Sequence, residues 1–451
     1  MTSPPPTPSS LPLTCSSAFR FKHIVSVTEW IEDYRPGELH PVNLGDRFKN
    51  GRYRVLRKLG YGAHSAVCRG GRYVVLKILT ADLTVSDSET SILKAIAQSE
   101  LSHPGRQHVM TMKEHFKHTG TNGEHGCLVF EPMGQSVTNV LQHLPKPLRP
   151  KTGFPQRCPI WMAKSILRQA LLGLDFLHQI RIAHGDLQEG NLLFSARDLS
   201  AVGEEALSPT LLPMEEEVRC RFRTYELVER VDGKTDLWAP KFLFLSQPLT
   251  EPEFANLDQD FVIKVSDMGS AFFLDDPPED LRTPITLRSP ERFVGSVPTI
   301  SDDIWAFGCL VFKSITGGAI PMVHMMGNRE DTEDRYLLNL FGILGPVPLD
   351  LLSKWPRSDR YFNAEGEHLR NHVGELPEGS NLSELQSLPN LEGLFDREKP
   401  AELSDEDARQ AKRILRWVFQ YDISKRPSAS ELLEDPWFSD AVARTNGSSS
   451  S

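Results

Sequence analysis

The strongest constraint on this chain is the order in which a few ionic residues recur in turn-like settings. Asp186 and Asn191 stand five residues apart in His184-Gly185-Asp186-Leu187-Gln188-Glu189-Gly190-Asn191, and Asp267 follows in Ser266-Asp267-Met268-Gly269. Upstream lie Gly60-Tyr61-Gly62-Ala63-His64-Ser65-Ala66-Val67 and then Lys77, in Val74-Val75-Leu76-Lys77. A single acidic residue in a loop is ordinarily just solvated. A lysine inside an apolar strand is expensive unless its charge is paired. Glycines between two strands let backbone N–H groups approach phosphate oxygens closely. A fold that satisfies all three conditions must bring segments far apart in sequence to one phosphate-bearing ligand.

The local patterns around these residues are those of an α+β protein. Residues 52–59, 66–69 and 73–79 alternate as strands do, with Gly70-Gly71 as a hairpin turn. Ser86-Asp87-Ser88-Glu89 reads as a capping box opening a helix with Ile92, Leu93 and Ile96 on its apolar face. Residues 127–130 form a buried strand leading into Glu131-Pro132-Met133-Gly134. Helical periodicity then dominates, over 161–178, 303–316, 336–344 and 406–419. A small sheet-rich part followed by a larger helical part predicts two lobes. With 39% hydrophobic residues over 451 positions, the chain can bury a sizeable core.

Composition narrows the partners. The formal net charge of −10 argues against direct nucleic-acid binding and permits a basic protein partner. No apolar run approaches the roughly 20 residues that span a bilayer. Six cysteines (Cys15, Cys68, Cys127, Cys158, Cys220 and Cys309) lack paired spacing, which suits a reducing compartment. Residues 1–27 are expected to be a disordered leader and 439–451 a disordered tail. The leader is Pro/Ser/Thr-rich like a transit peptide, but its only basic residues are Arg20 and Lys22, so arginine enrichment is missing. Residues 195–260, with the acidic Glu215-Glu216-Glu217, are too long for an ordinary connection and read as an insert.

Here the chain resembles the eukaryotic protein kinases. Arg288-Ser289-Pro290-Glu291 is similar to the motif closing their activation segment, with the arginine typical of the CMGC group. Asp303-Ile304-Trp305-Ala306-Phe307-Gly308 resembles the helix whose aspartate anchors the catalytic loop, and Lys425-Arg426-Pro427 the motif whose arginine pairs with Glu291. Within the group, the SR-protein kinase family is the nearest match. Tyr34-Arg35-Pro36-Gly37-Glu38-Leu39-His40-Pro41-Val42 with Gly45-Asp46 resembles its N-terminal signature. The 195–260 stretch falls where that family carries a spacer, and Glu333-Asp334 followed by residues 340–345 resembles its insert helix.

The resemblance implies a bilobal kinase fold over about residues 28–438, with an N-lobe near 50–133 and a C-lobe near 134–438. It implies ATP and Mg2+ as cofactors and transfer of the γ-phosphoryl group to Ser/Thr of a protein, Arg/Ser-rich in this family. Lys77 and Glu89 would position the phosphates, with Glu100 an outside alternative to Glu89. Asp186 would be the base, and Asn191 and Asp267 would hold magnesium. Gly60, Gly62, Ser65, Val67, Glu131 and Met133 would surround the nucleotide, with Phe130 behind the adenine. The implied protein is a monomer of the cytoplasm or nucleus, without membrane attachment.

Four positions depart from the pattern. Gly185 replaces an arginine that anchors a phosphorylated activation segment, which implies activity without that phosphorylation. Met268 fills an apolar position well. Gln188 replaces a lysine near the transferred phosphoryl group, and Val75 brings extra methyls toward the adenine pocket. These last two motivate a pseudokinase alternative, in which the fold serves as a binding scaffold. A small-molecule phosphotransferase also uses His-Gly-Asp with a following Asn. Two clusters carry weaker readings. His103, His108, His115, His118 and His125 lack the spacing of a zinc site. Glu330, Asp331, Glu333 and Asp334 read either as a solvated face or, by the resemblance, as part of a docking groove for Arg/Ser-rich substrates.

Overall fold

The computed structural model describes residues 19–22, 29–60, 72–144, 157–208, 225–250, 254, 256–321, 328–369, 373 and 389–438, and residues 65–69 by their backbone. Most of the expected leader, Gly62, the Gly70-Gly71 turn, Glu215 to Glu217 and the expected tail lie outside the described residues. The chain divides into two compact units. The first comprises Met1–Gln98, Thr111–Gln135 and Ser195–Asn256; the second comprises Ser99–Met110, Ser136–Phe194 and Leu257–Ser451.

The first unit is built on a six-stranded antiparallel sheet: β1 (Arg47–Phe48), β2 (Tyr53–Lys58), β3 (Ser65–Arg69), β4 (Tyr73–Ile78), β5 (Glu114–Gly120) and β6 (Gly123–Phe130), in the order β1-β2-β3-β4-β6-β5. Strand alternation explains what each face does. Leu76 and Ile78 of β4 join Phe48, Tyr53, Val55, Cys127 and Val129 in one buried cluster. Lys77, between them in sequence, therefore turns to the opposite face.

Two short helices follow β4. The capping box expected at Ser86 does not form. Residues Ala81–Ser86 make a first helix, α1, capped by the Thr80 side chain, and Asp87 ends it in the left-handed region at φ 49°. Helix α2, Ser88–Gln98, then begins, with Ile92, Leu93 and Ile96 buried as its apolar spacing predicts. The Ser86 hydroxyl donates to the Leu83 carbonyl, and Glu89 is committed to Lys77, so neither side chain serves a cap.

The described parts of the insert up to Asn256 group with this sheet-bearing unit. Leu199, Leu207, Leu249 and Phe254 form a cluster against which Leu59 and Tyr73 pack. An antiparallel hairpin of Tyr225–Leu227 with Phe242–Phe244 brings Leu243 into a cluster with Phe21, Ile31, Tyr34 and Leu39. Arg20 and Phe21, within the expected leader, are buried there, and Arg20 pairs with Glu32 at 3.0 Å.

Helices dominate the second unit: α3 (Ile160–Gln179), α4 (Ile300–Thr316), α5 (Arg329–Leu344) and α6 (Asp405–Val418). Helix α4 is buried along nearly its whole length and opens on a capping box between Thr299 and Asp302. A small antiparallel pair, β7 (Leu192–Ser195) with β8 (Ile263–Val265), carries the segments on either side of the insert. It sets the strand that leaves Asn191 beside the strand that leads into Asp267.

Candidate active site

The strand lysine of the first unit has the partner its burial demands. Lys77 Nζ lies 2.7 Å from Glu89 Oε1, and the two side chains are only 17% and 11% exposed. Glu89 stands in the first turn of α2, on the helix face that meets β4; Glu100, the alternative, lies beyond the end of that helix and is exposed. The β3–β4 register sets Ser65 opposite Lys77 and Val67 opposite Val75, and the β4–β6 register sets Val75 opposite Phe130. Phe130 and Met133 are buried on either side of Glu131 and Pro132. Gly60 lies two residues past the end of β2, while Gly62 is outside the described residues.

In the second unit the loop from His184 to Asn191 is held from several directions. Asp303, near the start of α4, accepts hydrogen bonds from the backbone N–H groups of His184 (2.7 Å) and Gly185 (2.8 Å) and from His178 Nε2 (3.0 Å). Burial pushes the Asp303 carboxyl up, but these histidines and the His184 N–H outweigh it and hold it below the usual carboxylate range. The His184 ring sits 3.0 Å from the carbonyl oxygen of Ser266, and the Ser266 N–H donates to the Asn191 carbonyl at 2.8 Å. The loop and the Asp267 segment are thus stitched together.

Asp186 is the focus of this loop. Gln188 Nε2 donates to both of its carboxylate oxygens, at 2.9 and 2.8 Å. Asn191 Nδ2 donates to the Asp186 carbonyl at 2.8 Å and to Oδ2 at 3.1 Å. Burial pushes the Asp186 carboxyl up from its ordinary value; the Gln188 bond, His184 and Asn191 pull it back, and Asp267 adds to the rise. Asn191 spends its amide nitrogen on Asp186, so its carbonyl oxygen is the atom chemically able to ligate a cation. Asp267 sits in the left-handed region at φ 61°, unusual for a residue other than glycine. Hard oxygen donors of this kind fit magnesium.

Hydrogen bonds and an ion pair fasten the segment after Asp267. The Thr283 hydroxyl, buried, donates to the Gly185 carbonyl. Arg288 donates to the carbonyls of Thr283 at 2.7 Å and Leu281 at 3.1 Å, and its own carbonyl accepts from the Tyr336 hydroxyl at 2.6 Å. Ser289 bonds Asp302 at 2.6 Å, and Arg426 forms a two-bond pair with Glu291, one arm at 2.7 Å. Gly185 carries φ 74°, and a Cβ there would lie 2.4 Å from the Ser270 carbonyl oxygen. The arginine missing from this position therefore has no room on this backbone.

The two weaker clusters resolve into structural roles. His108 and His125 bond the carbonyls of Ile263 and Leu79, and His103 pairs with Asp175 at 3.0 Å. No metal-holding group of three or more His, Cys, Asp or Glu side chains occurs among the described residues. Of the acidic stretch on α5, Asp334 is fully buried and bonds Arg357 (2.7 Å) and Tyr361 (3.0 Å). Glu333 pairs with Arg329 at 2.7 Å. Of the four acidic residues weighed as a solvated face or a docking groove, Asp334 belongs to neither, because Arg357 and Tyr361 hold it inside the fold.

Some contacts were not legible in the sequence. Lys313 Nζ lies 2.9 Å from Glu189 Oε2, and nothing local links residues so far apart. The strap from Thr283 to Gly185 was equally hidden, although the glycine itself was a visible departure.

A fold of this order, with a lysine–glutamate pair on the sheet and an Asp/Asn loop anchored by a helix aspartate, defines the class. The protein kinase domain model matches residues 53–202 and 254–438, and the chain belongs to the protein kinase family. It is a serine/threonine protein kinase, and SR-protein kinases are among its relatives. It is 26% identical to the serine/threonine-protein kinase SRPK of Physarum polycephalum, over 92% of both chains. It is 30% identical to a serine/threonine protein kinase of Aspergillus fumigatus, over 96% of this chain and 95% of that one. A 24% match to the protein kinase dsk1 of Schizosaccharomyces pombe covers 92% and 85%. The fold is shared with a crystallised kinase domain at TM-score 0.55 and 19% identity, over 88% of this chain and 98% of that one. As a family, protein kinases use ATP and magnesium. Among the described residues no helix is long and apolar enough to cross a membrane.

Proposed function

We propose that this kinase transfers the γ-phosphoryl group of ATP to serine in Arg/Ser-rich proteins, with Asp186 receiving the acceptor hydroxyl. The seating of Asp186 by Gln188 and Asn191 carries this reading. Both amides donate to the carboxylate, which orients it without neutralising it, and its other approaches remain for the hydroxyl that must give up a proton. Asn191 and Asp267 would hold magnesium, which would offset negative charge on the phosphates. Lys77, steadied by Glu89, would bind the α- and β-phosphates, and Gly60, Gly62, Ser65 and Val67 would cover them. Backbone groups of Glu131 and Met133 would bind adenine. The relatives named for SRSF proteins support the Arg/Ser substrate class.

Gln188 separates this proposal from a scaffold reading. A neutral amide supplies no cation to the phosphoryl group, which predicts a slower enzyme than one with lysine there; loss of one such group costs on the order of 3 kcal/mol. The test has two stages: a thermal shift with Mg-ATP, then transfer to an Arg/Ser peptide by wild type, Asp267→Ala and Gln188→Lys. A shift, with transfer abolished by Asp267→Ala, is expected. Binding of a protein partner with no transfer by the wild type would establish the scaffold role instead. Turnover of a small alcohol or amine, with none on peptides, would overturn the substrate class.

A further inference from the structure

Helix α4 touches the loop from His184 to Asn191 twice, and only one contact belongs to the resemblance described above. Asp303 takes the N–H groups at the start of the loop. Lys313, ten residues further along α4, reaches Glu189 near its end at 2.9 Å. At 1.5 Å rise per residue the two anchors lie about 15 Å apart along the helix. The loop is therefore laid lengthwise on α4 and fixed at both ends.

The second anchor grips a sensitive place. Glu189 opens the 3-10 turn Glu189–Asn191, and the Asn191 N–H donates to the Gln188 carbonyl at 2.9 Å. Gln188, which caps this turn, and Asn191, which ends it, are the residues whose amides hold Asp186. A shift of Glu189 moves both donors together. The pair is also not an ordinary surface ion pair, because the Glu189 side chain is 3% exposed while that of Lys313 is 46% exposed. The Glu189 Oε1 atom has no hydrogen-bond partner among the described residues. Burying a carboxylate is costly unless a cation meets it, so Lys313 fixes where Glu189 can sit.

We propose that Lys313 and Glu189 are positioning residues for phosphoryl transfer: their ion pair clamps the end of the catalytic loop to α4 and so holds the Gln188 amide on Asp186. This rests on the reading of Gln188 and Asp186 above. A geometric error of about 1 Å at reacting groups lowers rate up to ~100-fold, so Lys313→Met is expected to reduce kcat about 10- to 100-fold. KM for ATP should stay within about twofold, since no nucleotide contact is assigned to either residue.

The deciding experiment is a double-mutant cycle by steady-state kinetics on the full chain, with Mg-ATP and an Arg/Ser peptide. Lys313→Met, Gln188→Ala and their combination are compared. If Lys313 acts through Gln188, its removal costs less once Gln188→Ala has been made, because only the Asn191 donor is then left to shift. Multiplying losses would overturn the proposal, as would wild-type kcat in Lys313→Met. Because Lys313→Met strands a buried carboxylate, the neutral pair Glu189→Gln with Lys313→Met is the second variant. It removes the clamp without a stranded charge, and a folded neutral pair with wild-type kcat also overturns the proposal. Full activity in Gln188→Ala alone would instead overturn the role given to Gln188.

Discussion

Gly185→Ala offers a sharp test of how the catalytic loop is built. Glycine at φ 74° is in the left-handed region, where an L-residue costs roughly 1–2 kcal/mol. The added Cβ would also sit 2.4 Å from the Ser270 carbonyl oxygen and 3.3 Å from its carbon, a backbone neighbour that cannot swing aside like a side-chain tip. Relieving such an overlap costs about 1–3 kcal/mol, so the total is about 2–5 kcal/mol. At a few degrees per kcal/mol, thermal unfolding should fall on the order of 10 °C. Ser270 ends the turn that begins at Asp267, so the displacement should also weaken magnesium dependence and lower kcat. Differential scanning fluorimetry and a magnesium titration of peptide phosphorylation measure the two effects. Gly190→Ala is the control, since its Cβ would meet nothing nearer than 3.9 Å, and its unfolding temperature should stay near wild type. A Gly185→Ala protein with wild-type unfolding temperature and kcat would refute the steric argument. Gly185→Arg, which restores the residue commonly found there, should be worse than alanine and not a gain of function.

Three other perturbations test separate parts of the molecule. Glu89→Gln removes the carboxylate facing Lys77 and should raise KM for ATP and lower kcat, with the fold retained by circular dichroism; unchanged kinetics would show the pair to be structural only. Arg357→Met strands the fully buried Asp334 and should destabilise the second unit by about 3–5 kcal/mol, read from chemical denaturation. Burial holds His108, His118 and His125 below the ordinary histidine value of 6.5. As pH falls below that value the unfolded chain takes up protons that the folded chain resists, so stability should be full above pH 6.5 and decline through the window beneath it. An unfolding temperature that is flat from pH 7.5 to about 5.5 would contradict this account.

The resemblance was legible because the residues that carry it are local strings. Turn glycines, a lysine in an apolar strand, Asp186 with Asn191 and the Asp303 helix each declare themselves within a few positions. Helices with clear 3.6-residue spacing were equally legible, and α3, α4 and α6 run close to where their periodicity put them. The Ser86 capping box failed for an instructive reason. Its spacing was right, but Glu89 had a stronger use, since a nearly buried lysine outbids a backbone N–H for a carboxylate. The acidic run on α5 shows a similar limit: charge in sequence says nothing about which member of a run a helix turns inward. Asp334 faces in and meets Arg357.

By itself the sequence determined the family, the order of its strands and helices, and which residues are candidates to bind phosphate, metal and proton. Those follow from residue type and short spacing, which the chain carries before it folds. Tertiary structure decided how they are held. It set the Gln188 amide on Asp186, closed Glu189 onto Lys313 and left no space for a side chain at position 185. It also gathered Arg20, Phe21 and the insert hairpin onto the sheet-bearing unit. Such contacts join residues far apart along the chain, and a linear pattern does not encode the distance between them.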